Sequence, residues 1–162
     1  MKKFYAFAIS LAVLLAIPGL VSTTASAAPV SRDQYVQIVI DRGLAQRGVP
    51  YSWAGGDTNG PTLGKDTGAT TVGFDSSGLI QYVYAGVGAK LPRSSGDMYM
   101  VGQHVTADQA LPGDLIFYGP DGTKSVSMFL GNGQMLEVTD TVVAVSPVRT
   151  TDMAPYLVRV IA

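Results

Sequence analysis

Between Gly88 and Asp108 the spacing of apolar residues changes period, and this change limits the fold more than any other feature of the chain. Before it, apolar side chains recur at helical spacing. Tyr35, Ile38, Val39 and Leu44 predict a helix over 31–47, which Ser31 or Asp33 can cap and which Gly48 and Pro50 end. Leu79, Ile80, Val83 and Tyr84 predict a second, ended by Gly86 and Gly88. A turn at Leu91-Pro92-Arg93-Ser94-Ser95-Gly96 then leads into a short helical piece over 97–101. After Asp108 the period is that of strands. Leu115-Ile116-Phe117-Tyr118 is a buried run, Val126, Met128 and Leu130 alternate with Ser125, Ser127 and Phe129, and Asn132-Gly133 is a two-residue hairpin signal. Strands are further predicted over 135–138, 142–145 and 157–161. Helices first and an antiparallel meander second describe an α+β domain, with the helices packed on one face of the sheet. Residues 57–72 read as a long loop, and loops of that length in compact domains are usually functional or mobile.

The first 27 residues read as an address rather than as structure. Lys2 and Lys3 precede an apolar run from Phe4 to Ile17, Pro18 and Gly19 break it, and Ala25-Ser26-Ala27 fits the small-x-small cleavage rule. The run is shorter than the roughly 20 residues a membrane span needs. The expectation is a cleaved secretory signal peptide over 1–27, one domain over 28–162, and a secreted or cell-envelope location with no lasting membrane anchor.

Composition then narrows the chemistry. Setting Lys2 and Lys3 aside leaves nine of the eleven basic residues against twelve acidic ones, and the basic residues are scattered, so no nucleic-acid partner is expected. With no cysteine, the chain has no disulfide, no thiolate metal site and no thiol nucleophile. One histidine, His104, and one glutamate, Glu137, leave too little for a zinc site. Asp57-x-Asn59 begins like a calcium loop but lacks the later glutamate. No metal and no cofactor are expected.

Three stretches are candidates for a site. Gly73-Phe74-Asp75-Ser76-Ser77-Gly78 carries an Asp and two Ser into the second helix, so Ser76 falls at a helix N-terminus. Capping by Asp75, Ser76 or Ser77 explains the pattern; exposed N–H groups facing a ligand explain it too. Tyr51-Ser52-Trp53-Ala54-Gly55-Gly56 sets bulky rings beside glycines, as groove walls and ordinary packing both do. Arg93, Ser94 and Ser95 can hold a carboxylate or a peptide backbone, although a capped surface turn is the simpler account.

Taken in order, five motifs resemble the NlpC-type peptidoglycan endopeptidases, papain-like cysteine hydrolases of bacterial cell walls, and within them the mycobacterial Rip group. They are Gly48-Val49-Pro50-Tyr51-Ser52-Trp53, Gly73-Phe74-Asp75-x-Ser77-Gly78-Leu79, Leu91-Pro92-Arg93-x-Ser95, Pro112-Gly113-Asp114-Leu115-Ile116-Phe117 and Leu130-Gly131-Asn132-Gly133-Gln134-Met135. The resemblance implies a nucleophilic cysteine at the position of Ser76, a histidine at that of Ser125 and an imidazole-orienting residue at Glu137. Two of the three catalytic positions therefore hold hydroxyls. It also implies a ligand groove of Tyr51, Trp53, Asp75, Ser76, Ser77, Arg93, Ser94, Ser95 and Ser125.

A serine hydroxyl is far less acidic than a thiol and needs an adjacent base, which Ser125 is not. The resemblance thus implies an exported, non-catalytic peptidoglycan-binding module that takes stem peptides, with other cell-wall hydrolases as further partners, and a monomer. The alternatives are a residual or altered hydrolase using Ser76, and a cell-envelope protein-interaction module. His104 as a base for Ser76, or Glu137 working with Asp75 or Asp114, are weaker chemical readings, because geometry must come first.

Overall fold

The computed structural model describes residues 29–162. The predicted signal peptide over 1–27 lies outside the described residues. No helix among those described is long and apolar enough to cross a membrane.

Helix α1 (Arg32–Leu44) opens on a capping box: Ser31 Oγ accepts from the Gln34 amide, and Gln34 Oε1 accepts from the Ser31 amide. Its buried face is Val36, Val39 and Gly43, while Ile38 is largely exposed. Val39 and Leu44 of the predicted face meet the core, but Ile38 does not, and Val36 and Gly43 are buried in its stead. The sequence allows either phase. Packing selects the one that turns Gly43 inward, where a Cβ would stand 2.5 Å from Leu136 Cδ2.

Helix α2 (Ser76–Ala85) follows its periodicity. Leu79, Ile80, Val83 and Tyr84 are fully buried, each side chain contributing about 1.5–3 kcal/mol of apolar burial. Helix α3 (Ser95–Tyr99) starts two residues earlier than predicted, because Ser94 accepts from the Asp97 amide and serves as its cap.

The span 57–72 is not all loop. Strands β1 (Thr62–Leu63) and β2 (Val72–Gly73) pair antiparallel across a short 3-10 turn, too short to leave a periodic signal.

The main sheet has six strands: β3 (Gln103–Val105), β4 (Leu115–Tyr118), β5 (Ser125–Gly131), β6 (Gln134–Val138), β7 (Val143–Pro147) and β8 (Leu157–Arg159). Their order is β3-β8-β4-β5-β6-β7, and all pairs are antiparallel. The meander over β4–β7 is as predicted. Asn132 and Gly133 both adopt positive φ (50° and 69°), as the two-residue β5–β6 turn requires. The chain end departs from a simple meander, because β8 returns to lie between β4 and β3. Strand β3 has no sequence signal, since only Val105 of its three residues is buried.

One sheet face carries Leu115, Phe117, Val126, Met128 and Leu136 against the helices. Ile116, Tyr118 and Met135 form a smaller cluster with Val105 and Leu157. The α+β architecture, helices on an antiparallel sheet, is the one predicted.

Asp114 closes the Leu111–Asp114 turn, its amide donating to the Leu111 carbonyl at 3.0 Å. Its side chain is fully buried, accepting from Arg159 Nε at 2.9 Å and Nη2 at 2.7 Å and from the Leu111 amide at 2.8 Å. A sequence pattern cannot see this, because Arg159 reaches it only when β8 closes against β4.

Candidate functional site

A cleft of about 1030 Å³ opens at the start of α2, bounded by the 51–54 segment, the turn before α3, and strands β5 and β6. All of the predicted groove residues line it: Tyr51, Trp53, Asp75, Ser76, Ser77, Arg93, Ser94, Ser95 and Ser125, together with Glu137.

Asp75 is the N-cap of α2. Its Oδ1 accepts from the Gly78 amide at 2.7 Å, and its carbonyl accepts from the Leu79 amide at 3.1 Å. Arg93 forks onto the same carboxylate, Nη1 to Oδ1 at 2.9 Å and Nη2 to Oδ2 at 2.8 Å. Its Nη1 also donates to Ser77 Oγ at 2.7 Å, and its Nη2 to the Gly55 carbonyl at 3.1 Å. Asp75, Ser77 and Arg93 therefore serve one another. They hold the turn that presents Ser76 and have little capacity left for a ligand. Ser94 is engaged likewise, capping α3 and donating to Asp97 Oδ2 at 2.6 Å.

The turn is built on close backbone contact. A Cβ on Gly78 would lie 2.3 Å from the Gly55 carbonyl oxygen and 3.1 Å from Asp75 Oδ1, neither of which can move without breaking the network. Gly78→Ala is expected to destabilise the domain by roughly 1–3 kcal/mol, as overpacking does. Chemical denaturation measures this, and an unchanged midpoint contradicts it.

Ser76 is the first residue of α2, and its Oγ receives only a long contact, 3.4 Å, from the Val126 amide. Among the described residues, the Ser76 and Ser77 amides have no protein acceptor, as expected of a first helical turn. Ser125 is the first residue of β5, half-buried, on the same cleft. Tyr51 is fixed by its amide, which donates to the Thr141 carbonyl at 2.8 Å. Burial, with a smaller push from the Asp75 and Asp140 carboxylates, raises its phenol above the usual tyrosine range, so it is a neutral hydroxyl at physiological pH. Trp53 stands 52% exposed at the rim, its carbonyl taken by the Lys65 amide at 2.8 Å.

Glu137 lies on β6 with 6% of its surface exposed. Its partner is Arg149, whose Nη1 is 2.8 Å from Oε1 and 2.7 Å from Oε2. No sequence motif singles out Arg149. It follows β7 with no motif around it, and only the fold brings it to the cleft. Lys65, Asp97, Lys124, Ser127, Thr139 and Asp140 also line the cleft, and spacing marks none of them.

His104 is not a cleft residue. It sits on edge strand β3, with Nε2 2.7 Å from the Tyr99 carbonyl oxygen and its ring stacked on Tyr99 and Tyr156. Asp114, committed to Arg159, is equally absent from the cleft. Among the described residues no three His, Cys, Asp or Glu side chains are grouped as metal ligands would be. Ser76 and Ser125 bring hydroxyls to a cleft that has no imidazole or thiol on its lining, and its Glu137 carboxylate is held by the Arg149 guanidinium. Such a surface can hydrogen-bond a polar ligand, and no imidazole lines the cleft beside either serine.

Comparison with known proteins places this geometry. The NlpC/P60 family matches residues 48–162. Peptidoglycan endopeptidase RipB of Mycobacterium tuberculosis is 52% identical over 147 residues, which cover 89% of this chain and 61% of RipB. Peptidoglycan endopeptidase RipA of the same organism is 55% identical over 130 residues, 79% of this chain and 28% of RipA. This chain therefore spans less than two thirds of either relative. A solved structure of RipA mutated at a cysteine matches with TM-score 0.79 at 51% identity, over 85% of this chain and 68% of that one. Two further RipA structures are mutated at a histidine and at a glutamate. The structure of M. tuberculosis RipD, described as a non-catalytic NlpC/p60 domain protein adapted to peptidoglycan binding, matches with TM-score 0.77 at 69% identity, over 78% of this chain and 98% of that one. With its family match, its sequence identities and its fold in agreement, the chain belongs to the NlpC/P60 family and, within it, to the mycobacterial Rip group.

Proposed function

We propose that this chain is an exported, non-catalytic peptidoglycan-binding module, and that its cleft holds the stem peptides of the cell wall without cutting them. The observation that carries the reading is the cleft floor. The scaffold of a hydrolase site is intact, yet Ser76 and Ser125 stand where a thiol and an imidazole are needed. The cysteine, histidine and glutamate altered in the RipA structures are separated along that chain by the same intervals as Ser76, Ser125 and Glu137 in this one, which supports the assignment of the three positions. Losing triad members costs several orders of magnitude in rate, whereas a groove keeps its binding contacts without them.

The likeness to RipD, described as peptidoglycan-binding, supports the same ligand class. Export and cleavage after Ala27 are part of the proposal and rest on the basic, apolar and Ala-x-Ala pattern. A monomeric domain over 28–162 with no cofactor, sharing the wall with active hydrolases as further partners, completes it.

Co-sedimentation with insoluble cell wall tests the reading. The purified mature protein is expected in the pellet at low salt, with no muropeptide released over hours. Protein remaining wholly in the supernatant removes the binding function. Release that Ser76→Ala abolishes replaces it with a working hydrolase.

A further inference from the structure

Arg149 has hydrogen-bonding capacity that the protein does not use. Its Nη1 alone serves both oxygens of Glu137. The guanidinium carbon lies 4.9 Å from the centre of the Tyr118 ring, and the Tyr118 hydroxyl donates to the Arg149 carbonyl at 3.1 Å. Head group and backbone are therefore both fixed, while the side chain stays half exposed on the cleft wall. A guanidinium has five N–H donors in a rigid plane. Among the described residues, Nε and Nη2 of Arg149 make no hydrogen bond to protein. That free edge is the fork that receives a carboxylate side-on.

The other cations of the cleft are less suited to this task. Both terminal nitrogens of Arg93 are bound to Asp75, Ser77 and Gly55. Lys124 is paired with Asp152 at 2.5 Å. Lys65 is an exposed residue and supplies a point charge rather than a fork. Cations and anions along the cleft are equal in number, so its overall field favours neither sign of ligand. A preference for anions has to come from donors already held in place, and ordering them in advance lowers the entropic cost of binding.

We infer that Arg149 sets the ligand preference of this cleft and that it selects for a free carboxylate. A carboxylate of the bound stem peptide lies against the Nε–Nη2 edge, while Glu137 and the Tyr118 ring hold the guanidinium from the other side. A carboxamide at the same place offers one acceptor oxygen and a mismatched donor, so it is bound more weakly. The inference rests on the peptide-binding function proposed above and names the chemical group that function reads.

Two synthetic stem peptides test it, identical except that the free carboxylates of one are carboxamides in the other. The intact protein is expected to bind the acid about tenfold or more tighter than the amide, in line with charge-assisted bidentate pairs being roughly twice as strong as neutral ones. Arg149→Gln alone leaves a buried carboxylate without its partner, so the informative variant is Arg149→Gln with Glu137→Gln. It should bind both peptides equally, at the affinity the intact protein shows for the amide. Arg149→Lys, which keeps the charge and loses the fork, should retain only part of the preference. Equal binding of acid and amide by the intact protein overturns the inference, as does a preference that survives in the double variant. If neither peptide binds although the protein pellets with cell wall, wall binding stands and this inference falls. If neither binds and the protein does not pellet, both readings fall.

Discussion

Ser76→Cys combined with Ser125→His is expected to give weak but measurable cleavage of stem peptides, and adding Arg149→Gln is expected to raise its kcat by about tenfold or more. The double change restores a nucleophile and a base at positions the scaffold already presents. A thiol at a helix N-terminus beside an imidazole ionises well below its ordinary pKa of about 8.5. The obstacle is Arg149. It engages both oxygens of Glu137, so a new imidazole at position 125 finds its orienting carboxylate occupied and meets a guanidinium that disfavours its charged form. Replacing Arg149 by a neutral amide frees Glu137 for the ring.

Since Arg149 is also assigned to the ligand, the gain should appear in kcat while KM rises. Muropeptide release followed by chromatography, with kcat and KM determined separately, measures both effects. A triple variant no faster than the double shows that Arg149 is not the obstacle. A correctly folded triple variant with no activity means that the groove itself has been remodelled, and stem peptides are then the wrong substrate class.

Asp114→Ala is expected to cost about 3–5 kcal/mol of stability, the largest effect of any single substitution considered for this domain. The Asp114 carboxylate is fully buried and receives two nitrogens of Arg159, with Arg32 Nη2 a further 3.8 Å away. Arg159 is mostly buried, and its hydrogen bonds to Asp114 hold its pKa above the ordinary arginine value against the opposing effect of burial. Removing the carboxylate alone leaves the Arg159 guanidinium without its counter-charge and Arg32 with only that of the exposed Asp33 at 3.6 Å, and it frees the Leu111 amide.

The damage spreads because Arg159 belongs to β8 and Arg32 to the start of α1, where Arg32 also donates to the Pro112 carbonyl at 3.2 Å. One carboxylate thus ties the chain end to both the sheet and the first helix. Lys124–Asp152 is the internal control. Its side chains are 67% and 45% exposed, and breaking it by Asp152→Ala should change stability by less than about 1 kcal/mol. Urea unfolding of the two variants decides the matter, and an Asp114→Ala loss no larger than that of Asp152→Ala contradicts the account.

Much of the fold is legible in the sequence because the signals are local. The Leu79-Ile80-Val83-Tyr84 stripe marks α2, Asn132-Gly133 marks the hairpin, and Leu115–Tyr118 marks a strand buried throughout. Apart from the start of α3, which the nearby Ser94 cap decides, the departures from prediction are set by contacts made outside the segment concerned. The face of α1 is chosen by Gly43 meeting Leu136. Strand β3 exists because β8 pairs with it, and the β1–β2 ribbon is two residues wide on each side. None of these leaves a periodic trace in its own segment.

The site divides along the same line. Local motifs mark Tyr51, Trp53, Asp75, Ser76, Ser77 and Arg93 through Ser95 as separate candidates; the family resemblance joins them with Ser125 in one groove and points to Glu137, and all of them line the cleft. What those side chains do there was not legible. Asp75 and Arg93 look like ligand contacts in a linear reading, yet the fold engages each with the other.

Residue types alone limit the chemistry this chain can perform. A chain without cysteine, with a single histidine, and with hydroxyls at positions 76 and 125 has no thiol and no second imidazole wherever it folds. How the remaining groups are used depends on the fold. It set His104 on an edge strand outside the cleft, buried Asp114 against Arg159, and delivered Arg149 to Glu137 across twelve residues of strand and turn. The physical reason is that composition counts the groups available, while pairing of charges and burial depend on distances that exist only once the sheet has closed.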